Sequence, residues 1–242
     1  MTIVATPSRP ALRGIRVLRA ACLLPLLTTL GAQALDVRID PHADLLYRQA
    51  LPLLEQADRT DDSPSPLRTA SNDPELSRQG QAMARTLPTA VALLEKSVAL
   101  NHPVAQYRLA LYYTTYLPAA QIPDAACPLL EASLQQGFAP PALAIARWCP
   151  PYNASPAYRQ ALEAVPSMAT LYAAYYPQPA TRLACSRSRP QGLEMQWGRQ
   201  RDYQAEVYRL LGDLDPQQRQ ALLHKAVEIN GCVTAQQHLS NR

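Results

Sequence analysis

The side chains through which this chain could do chemistry are few, and their spacing excludes most of what they could do. Of five cysteines, Cys22 lies in the first 34 residues; Cys127, Cys149, Cys185 and Cys232 lie beyond them. No pair has the C-x-x-C spacing of a redox or zinc site. Four cysteines allow three pairings, and spacing alone selects none. Of the four histidines, His224 and His238 stand 14 residues apart with Cys232 between them. No HExxH or Cys/His ligand pattern appears, so neither a metal nor another cofactor is expected. There is no G-x-S-x-G elbow and no S-x-x-K motif, so nucleophilic hydrolysis has no local support and no catalytic residue is assigned.

Tyrosine is the side chain in excess, with 12 copies against one phenylalanine. Six fall in two similar segments: Tyr112, Tyr113 and Tyr116, then Tyr172, Tyr175 and Tyr176. Two readings are open. Tyr112, Tyr116, Tyr172, Tyr175 and Tyr176 could line a groove for a peptide, because a phenol gives large contact area with a polar tip. They could equally be packing between helices. The Arg182–Arg189 stretch could meet an anion or an acidic partner, and as a solvated loop tethered by Cys185 it needs neither.

The elements that must position these residues follow a leader. Residues 1–34 hold Arg9, Arg13, Arg16 and Arg19 and no acid, then an apolar run from Ala20 to Leu30, then Ala32-Gln33-Ala34. That order is a secretory signal peptide, with cleavage expected after Ala34. Cys22 precedes the apolar run, the reverse of what lipidation needs. Without the leader's four arginines, the 19 remaining basic residues equal the 19 acids. A neutral body argues against nucleic-acid binding and against a polybasic membrane contact. No later segment is apolar enough to span a membrane. In an exported chain, an even number of cysteines points to two disulfides.

Eight glycines argue against phosphate-cradling loops and against a turn-rich sandwich. The body shows no strand-like alternation and reads as all-α. An N-terminal helix is expected within 35–58, bent at Pro52, then a flexible linker over 59–74 and a helical domain over 75–242. Within that domain the pattern gives a weak helix at 75–85 and strong ones at 89–100 and 104–116. Further helices are expected at 125–136, 141–148, 157–165, 168–176, 202–211, 216–229 and 234–239. Residues 177–192 read as irregular. Asp215 before Pro216 is an N-cap signal.

The chain also repeats itself. Ala92-Leu93-Leu94-Glu95-Lys96-Ser97 returns 36 residues later as Pro128-Leu129-Leu130-Glu131-Ala132-Ser133. Asn101 then meets Gly137 and Leu109 meets Ile145. A third copy starts at Ala221-Leu222-Leu223, and a faint earlier one at Leu53-Leu54-Glu55. The recurrence makes Glu95 and Glu131 exposed helix residues rather than an acid/base pair. Such a period in a helical pattern means stacked helix-turn-helix units, clearest at 89–116, 125–149 and 202–240.

Residues 92–113, with Ala105-Gln106-Tyr107, Leu109 and Tyr113 in the second helix, resemble the Sel-one-like repeat, a relative of the tetratricopeptide repeat. The turn glycine of that family is Asn101 here, then Gly137, then Asn230-Gly231; Ala110 and Ala146 stand where its second-helix glycine falls. The resemblance implies an α-solenoid acting as a periplasmic scaffold or adaptor that binds another envelope protein or peptide. It implies disulfides within repeats, which favours Cys127–Cys149 and Cys185–Cys232, and a structural role for His102 at the turn. Two alternatives stand beside the scaffold. One is a weak cell-wall or β-lactam hydrolase, with Ser133 a candidate to test, by analogy to cysteine-rich relatives of that family. The other is a secreted effector that binds a host protein.

Overall fold

A computed structural model of the chain describes residues 39–61, 74–180, 183–186 and 196–241. The signal segment 1–34, most of the expected linker 59–74, and Arg182 and Arg187–Arg189 lie outside the described residues. The described part is mostly helical. Helix α1 spans Pro41–Asp61, α2 Pro74–Ala99, α3 Pro103–Tyr116, α4 Ile122–Gln135 and α5 Pro141–Trp148. Then come α6 (Pro150–Asn153), α7 (Pro156–Ala164), α8 (Gln200–Leu214), α9 (Arg219–Asn230) and α10 (Val233–Ser240).

Proline starts many of these helices. Pro103, Pro141 and Pro156 sit in first turns, where a missing N–H costs nothing. Capping completes the starts. Ser155 accepts the Tyr158 amide, and His102 accepts the amides of Val104 and Ala105. Other prolines are overridden. The helices expected at 75–85 and 89–100 are one helix, α2, which runs through Pro88. Its Ala90 and Leu94 are fully buried in the same core as Ala50 and Leu54 of α1, and that burial outweighs the local break. Helix α1 likewise continues through Pro52 to Asp61, three residues past the expected boundary.

The 36-residue period is visible in the packing. Ala90 and Ala126, Leu94 and Leu130, and Ser97 and Ser133 are all fully buried. Ser97 donates to the Ala43 carbonyl at 2.8 Å, in the first turn of α1. Ser133 donates to the Pro103 carbonyl at 2.7 Å, in the first turn of α3. The two helix pairs α1/α2 and α3/α4 are therefore joined by the same bond at the same place. The turns match too: Asn101 (φ 63°), Gly137 (φ 85°) and Gly231 (φ 73°) are all left-handed. Asn101 pays for that conformation partly with its side chain, which accepts from the Gln106 amide at 2.9 Å.

Both disulfides take the pairing that the family resemblance favours. Cys127–Cys149 joins α4 to the end of α5 across 5.8 Å between Cα atoms. Cys185–Cys232 ties the segment before α8 to the cap of α10 across 4.5 Å.

Three further expectations fail. The body is not helical throughout: β1 (Gln178–Ala180) pairs antiparallel with β2 (Gln196–Gly198), with Pro179 opposite Trp197. Pro177 and Pro179 explain it, since each holds its predecessor extended. The helix expected at 168–176 is instead two short 3-10 turns, 165–168 and 173–175. Tyr172 between them is left-handed at φ 60°, which ends any regular helix. Finally, Asp215 does not cap α9. It accepts the amides of Gln217 and Gln218 in a turn, and α9 starts at Arg219.

Candidate functional site

The two tyrosine segments do not form one lining. Tyr112 and Tyr116, one helical turn apart on α3, pack against each other as a tilted pair with ring centroids 4.9 Å apart. Tyr116 is 49% exposed. The pair flanks a cleft lined by Leu54 and Ala57 of α1, Leu87 of α2, and Leu111 and Thr115 of α3. The cleft encloses about 470 Å³, part of it open to solvent. Among the described residues its ion pair is Arg108–Asp58 at 2.9 Å, with the arginine side chain only 4% exposed. A charge so buried holds its place only when paired. The Arg108 guanidinium lies over the Trp197 ring, 6.0 Å from its centroid. The cleft thus presents apolar walls, two phenol rings and a fixed, neutralised charge pair.

Tyr172, Tyr175 and Tyr176 lie elsewhere, in an aromatic chain through the core. Tyr172 is buried, packs edge-on against Phe138 at 5.6 Å, and donates its hydroxyl to the Gln136 carbonyl at 2.9 Å. Tyr176 packs between Phe138 and Tyr203. Burial pushes the hydroxyl of Tyr176 far above its ordinary range. Tyr175 packs on Tyr47 and on His102, and its hydroxyl donates to Asp44 at 2.7 Å. For these three the packing role is filled: ring and, for two of them, hydroxyl are already engaged inside the protein.

Tyr175 leads to a charged group that sequence reading missed. Asp44 accepts from Tyr175 and, at 2.7 Å, from Arg48. His102 Nε2 stands 3.5 Å from the same carboxylate. His102 Nδ1 receives two backbone amides, so the proton of the neutral ring is on Nε2 and faces Asp44. Burial lowers the His102 pKa, against the pull of Asp44. For Asp44, burial works upward, but hydrogen bonds from Tyr175 and Arg48, the Arg48 charge and the nearby His102 ring together hold the carboxyl below its ordinary value. Among the described residues the hydroxyl bonded to Asp44 is the Tyr175 phenol, whose pKa burial raises. Through the Tyr175 phenol and the His102 cap, Asp44 ties the first turn of α1 to the start of α3 and to residues 173–175.

The remaining candidates are structural in place. Ser133 is fully buried and bonded to Pro103, so its hydroxyl faces no cleft. Cys127, Cys149, Cys185 and Cys232 are all in disulfides. His238 pairs with Asp213 at 3.2 Å rather than with Cys232 or His224. Among the described residues no three His, Cys, Asp or Glu side chains gather as metal ligands. Also among them, no helix is long and apolar enough to cross a membrane.

One signal would have located the core of this region. Tyr47-Arg48-Gln49-Ala50-Leu51 and Tyr107-Arg108-Leu109-Ala110-Leu111 differ at one position of five, and Tyr158-Arg159-Gln160-Ala161-Leu162 repeats the first. Tyr47, Tyr107 and Tyr158 are each buried with the hydroxyl hydrogen-bonded. The motif marks α1 as a counterpart of α3. No protein-family model, no curated protein and no solved structure matches this chain.

Proposed function

We propose that this protein is an exported helical-repeat scaffold, a Sel-one-like α-solenoid of the bacterial periplasm, that holds another envelope protein or peptide at the Tyr112/Tyr116 cleft. The observation that carries the reading is that cleft: paired, partly exposed tyrosines over apolar walls, with the charges of its described residues neutralised in the Arg108–Asp58 pair. Large aromatic side chains at a desolvated pocket are what protein interfaces use as anchors. The recurring Ser97 and Ser133 bonds support a repeat array. Two disulfides suit an oxidising compartment. The hydrolase alternative gains nothing from Ser133, whose hydroxyl is buried and engaged.

Site-directed photo-crosslinking in the native envelope tests the reading. A photoreactive residue at Thr115 should give one discrete adduct, and the same residue at Val233, exposed on α10, should give none. Equal adducts at both positions, or none at Thr115, would count against the cleft as a docking site.

A further inference from the structure

Strand β1 is a short extended segment laid across helices. All three of its residues are buried. Three helices hold it with tyrosine hydroxyls. Tyr107 of α3 donates to the Pro179 carbonyl at 2.7 Å. Tyr203 of α8 donates to the Gln178 carbonyl at 2.6 Å. Tyr47 of α1 accepts from the Gln178 side-chain amide at 3.2 Å. Tyr47 and Tyr107 occupy the same place in the repeated Tyr-Arg-x-Ala-Leu motif. Tyr107 and Tyr203 thus read the extended segment through its carbonyls and Tyr47 through the Gln178 side chain, while β2 pairs along its edge, as a groove reads a peptide. Proline fits that chemistry, because it keeps its carbonyl and lacks the N–H for which these hydroxyl donors offer no partner.

The surroundings make β1 a divider. Pro179 lines the cleft beneath Tyr112 and Tyr116. The next residue, Ala180, lines a second cleft of about 850 Å³ between α5 and α8, with Tyr107, Leu143, Arg147 and Glu206. Consecutive residues of β1 therefore wall two different openings, and so do consecutive residues Arg108 and Tyr107 of α3.

We propose that Gln178–Ala180 is a resident pseudo-ligand: the chain's own extended segment, seated in a peptide-reading slot across α1, α3 and α8, whose displacement joins the two clefts into one groove. This rests on the scaffold reading and deepens it. The partner is an extended polypeptide segment that offers main-chain carbonyls to Tyr107 and Tyr203, and the resident segment regulates its access. Tethered in the same chain, the resident competes at an effective concentration of order millimolar.

Complementation in trans tests it on the full chain. The probe is a fluorescent synthetic peptide with the sequence Ala174–Ala180. The variant is Gln178→Gly, Pro179→Ser, Ala180→Gly, which leaves the main-chain carbonyls but removes the Gln178 amide bonds and the proline stiffness that hold the resident in the slot. The variant should bind the peptide saturably and about tenfold tighter than the native protein, where the resident competes. The peptide should also raise the variant's Tm and leave the native Tm unchanged. A variant that stays helical yet binds the peptide no better than the native chain overturns the proposal. If the triple variant does not fold, Gln178→Ala replaces it, which removes only the amide bonds to Tyr47 and the Tyr175 carbonyl. Unimproved peptide binding by Gln178→Ala overturns the proposal equally. A partner crosslinked through Thr115 and retained equally by native and variant chains would sink the pseudo-ligand alone and leave the scaffold reading standing.

Discussion

Replacing Ser97 and Ser133 with alanine, singly and together, perturbs the protein at two sites that a 36-residue offset makes equivalent. Each hydroxyl is fully buried and donates to a first-turn carbonyl of the neighbouring helix, at 2.8 and 2.7 Å. Deleting a buried hydrogen bond costs about 1 kcal/mol net, and up to about 3 kcal/mol if the orphaned carbonyl finds no other partner. Alanine returns about 0.5 kcal/mol through its better helix propensity. Each single variant should therefore lose about 1 kcal/mol, which is about 2–4 °C in Tm for a chain of this size. The bonds share no partner, so the double variant should lose the sum to within about 0.5 kcal/mol. Urea unfolding followed by far-ultraviolet circular dichroism, with the slope checked for constancy, gives the values. The decisive feature is equality. If one substitution costs nothing while the other costs more than about 2 kcal/mol, the two helix pairs are not packed alike and the repeat account fails.

Other outcomes follow from single contacts. Burial holds the His102 pKa below 6.5, so its stabilising contribution is complete above that pH and shrinks as pH falls toward the folded-state value. Asp44, Arg48, Tyr47 and Tyr175 face the ring; the depressed Asp44 carboxyl weakens only below its ordinary 3.8. His102→Asn, which keeps a cap acceptor, should flatten the loss of stability between pH 7 and 5; an unchanged pH profile would place the titration elsewhere. Gly198→Ala would put a methyl 2.2 Å from Leu183 and 2.9 Å from the Tyr203 ring, so it should destabilise by about 1–3 kcal/mol in the same urea assay. Removing Cys127–Cys149 by double serine substitution should cost about 3 kcal/mol for a loop of 22 residues. No change in the unfolding midpoint would mean that the bridge constrains nothing.

What the sequence disclosed was what repeats or caps locally. Ala90, Leu94 and Ser97 recur at fixed spacing in Ala126, Leu130 and Ser133, so helices and turns around them were legible. Asn101 was legible as a left-handed turn because asparagine tolerates it. Residues 165–180 were not, because their shape comes from Pro177, Pro179 and the left-handed Tyr172 rather than from periodicity. The long α2 was hidden by Pro88, whose cost is met by burial against a helix distant in sequence. At the site, Tyr112 and Tyr116 share a helix face and could be paired in advance. Asp44 and Tyr175 bond across 131 residues, a separation at which no spacing rule operates. The kinship of α1 and α3 was present in Tyr47–Leu51 and Tyr107–Leu111, but a period of 60 residues spans two helices and does not stand out as one repeat.

The most direct test of the scaffold account is a crosslinking capture from the native envelope with tagged protein, comparing the native chain with Tyr112→Ala/Tyr116→Ala. The account predicts one dominant, saturable partner whose retention falls at least about tenfold in the double variant, as expected when two aromatic anchors are lost, while helicity is preserved. Equal retention of that partner by both chains would contradict it.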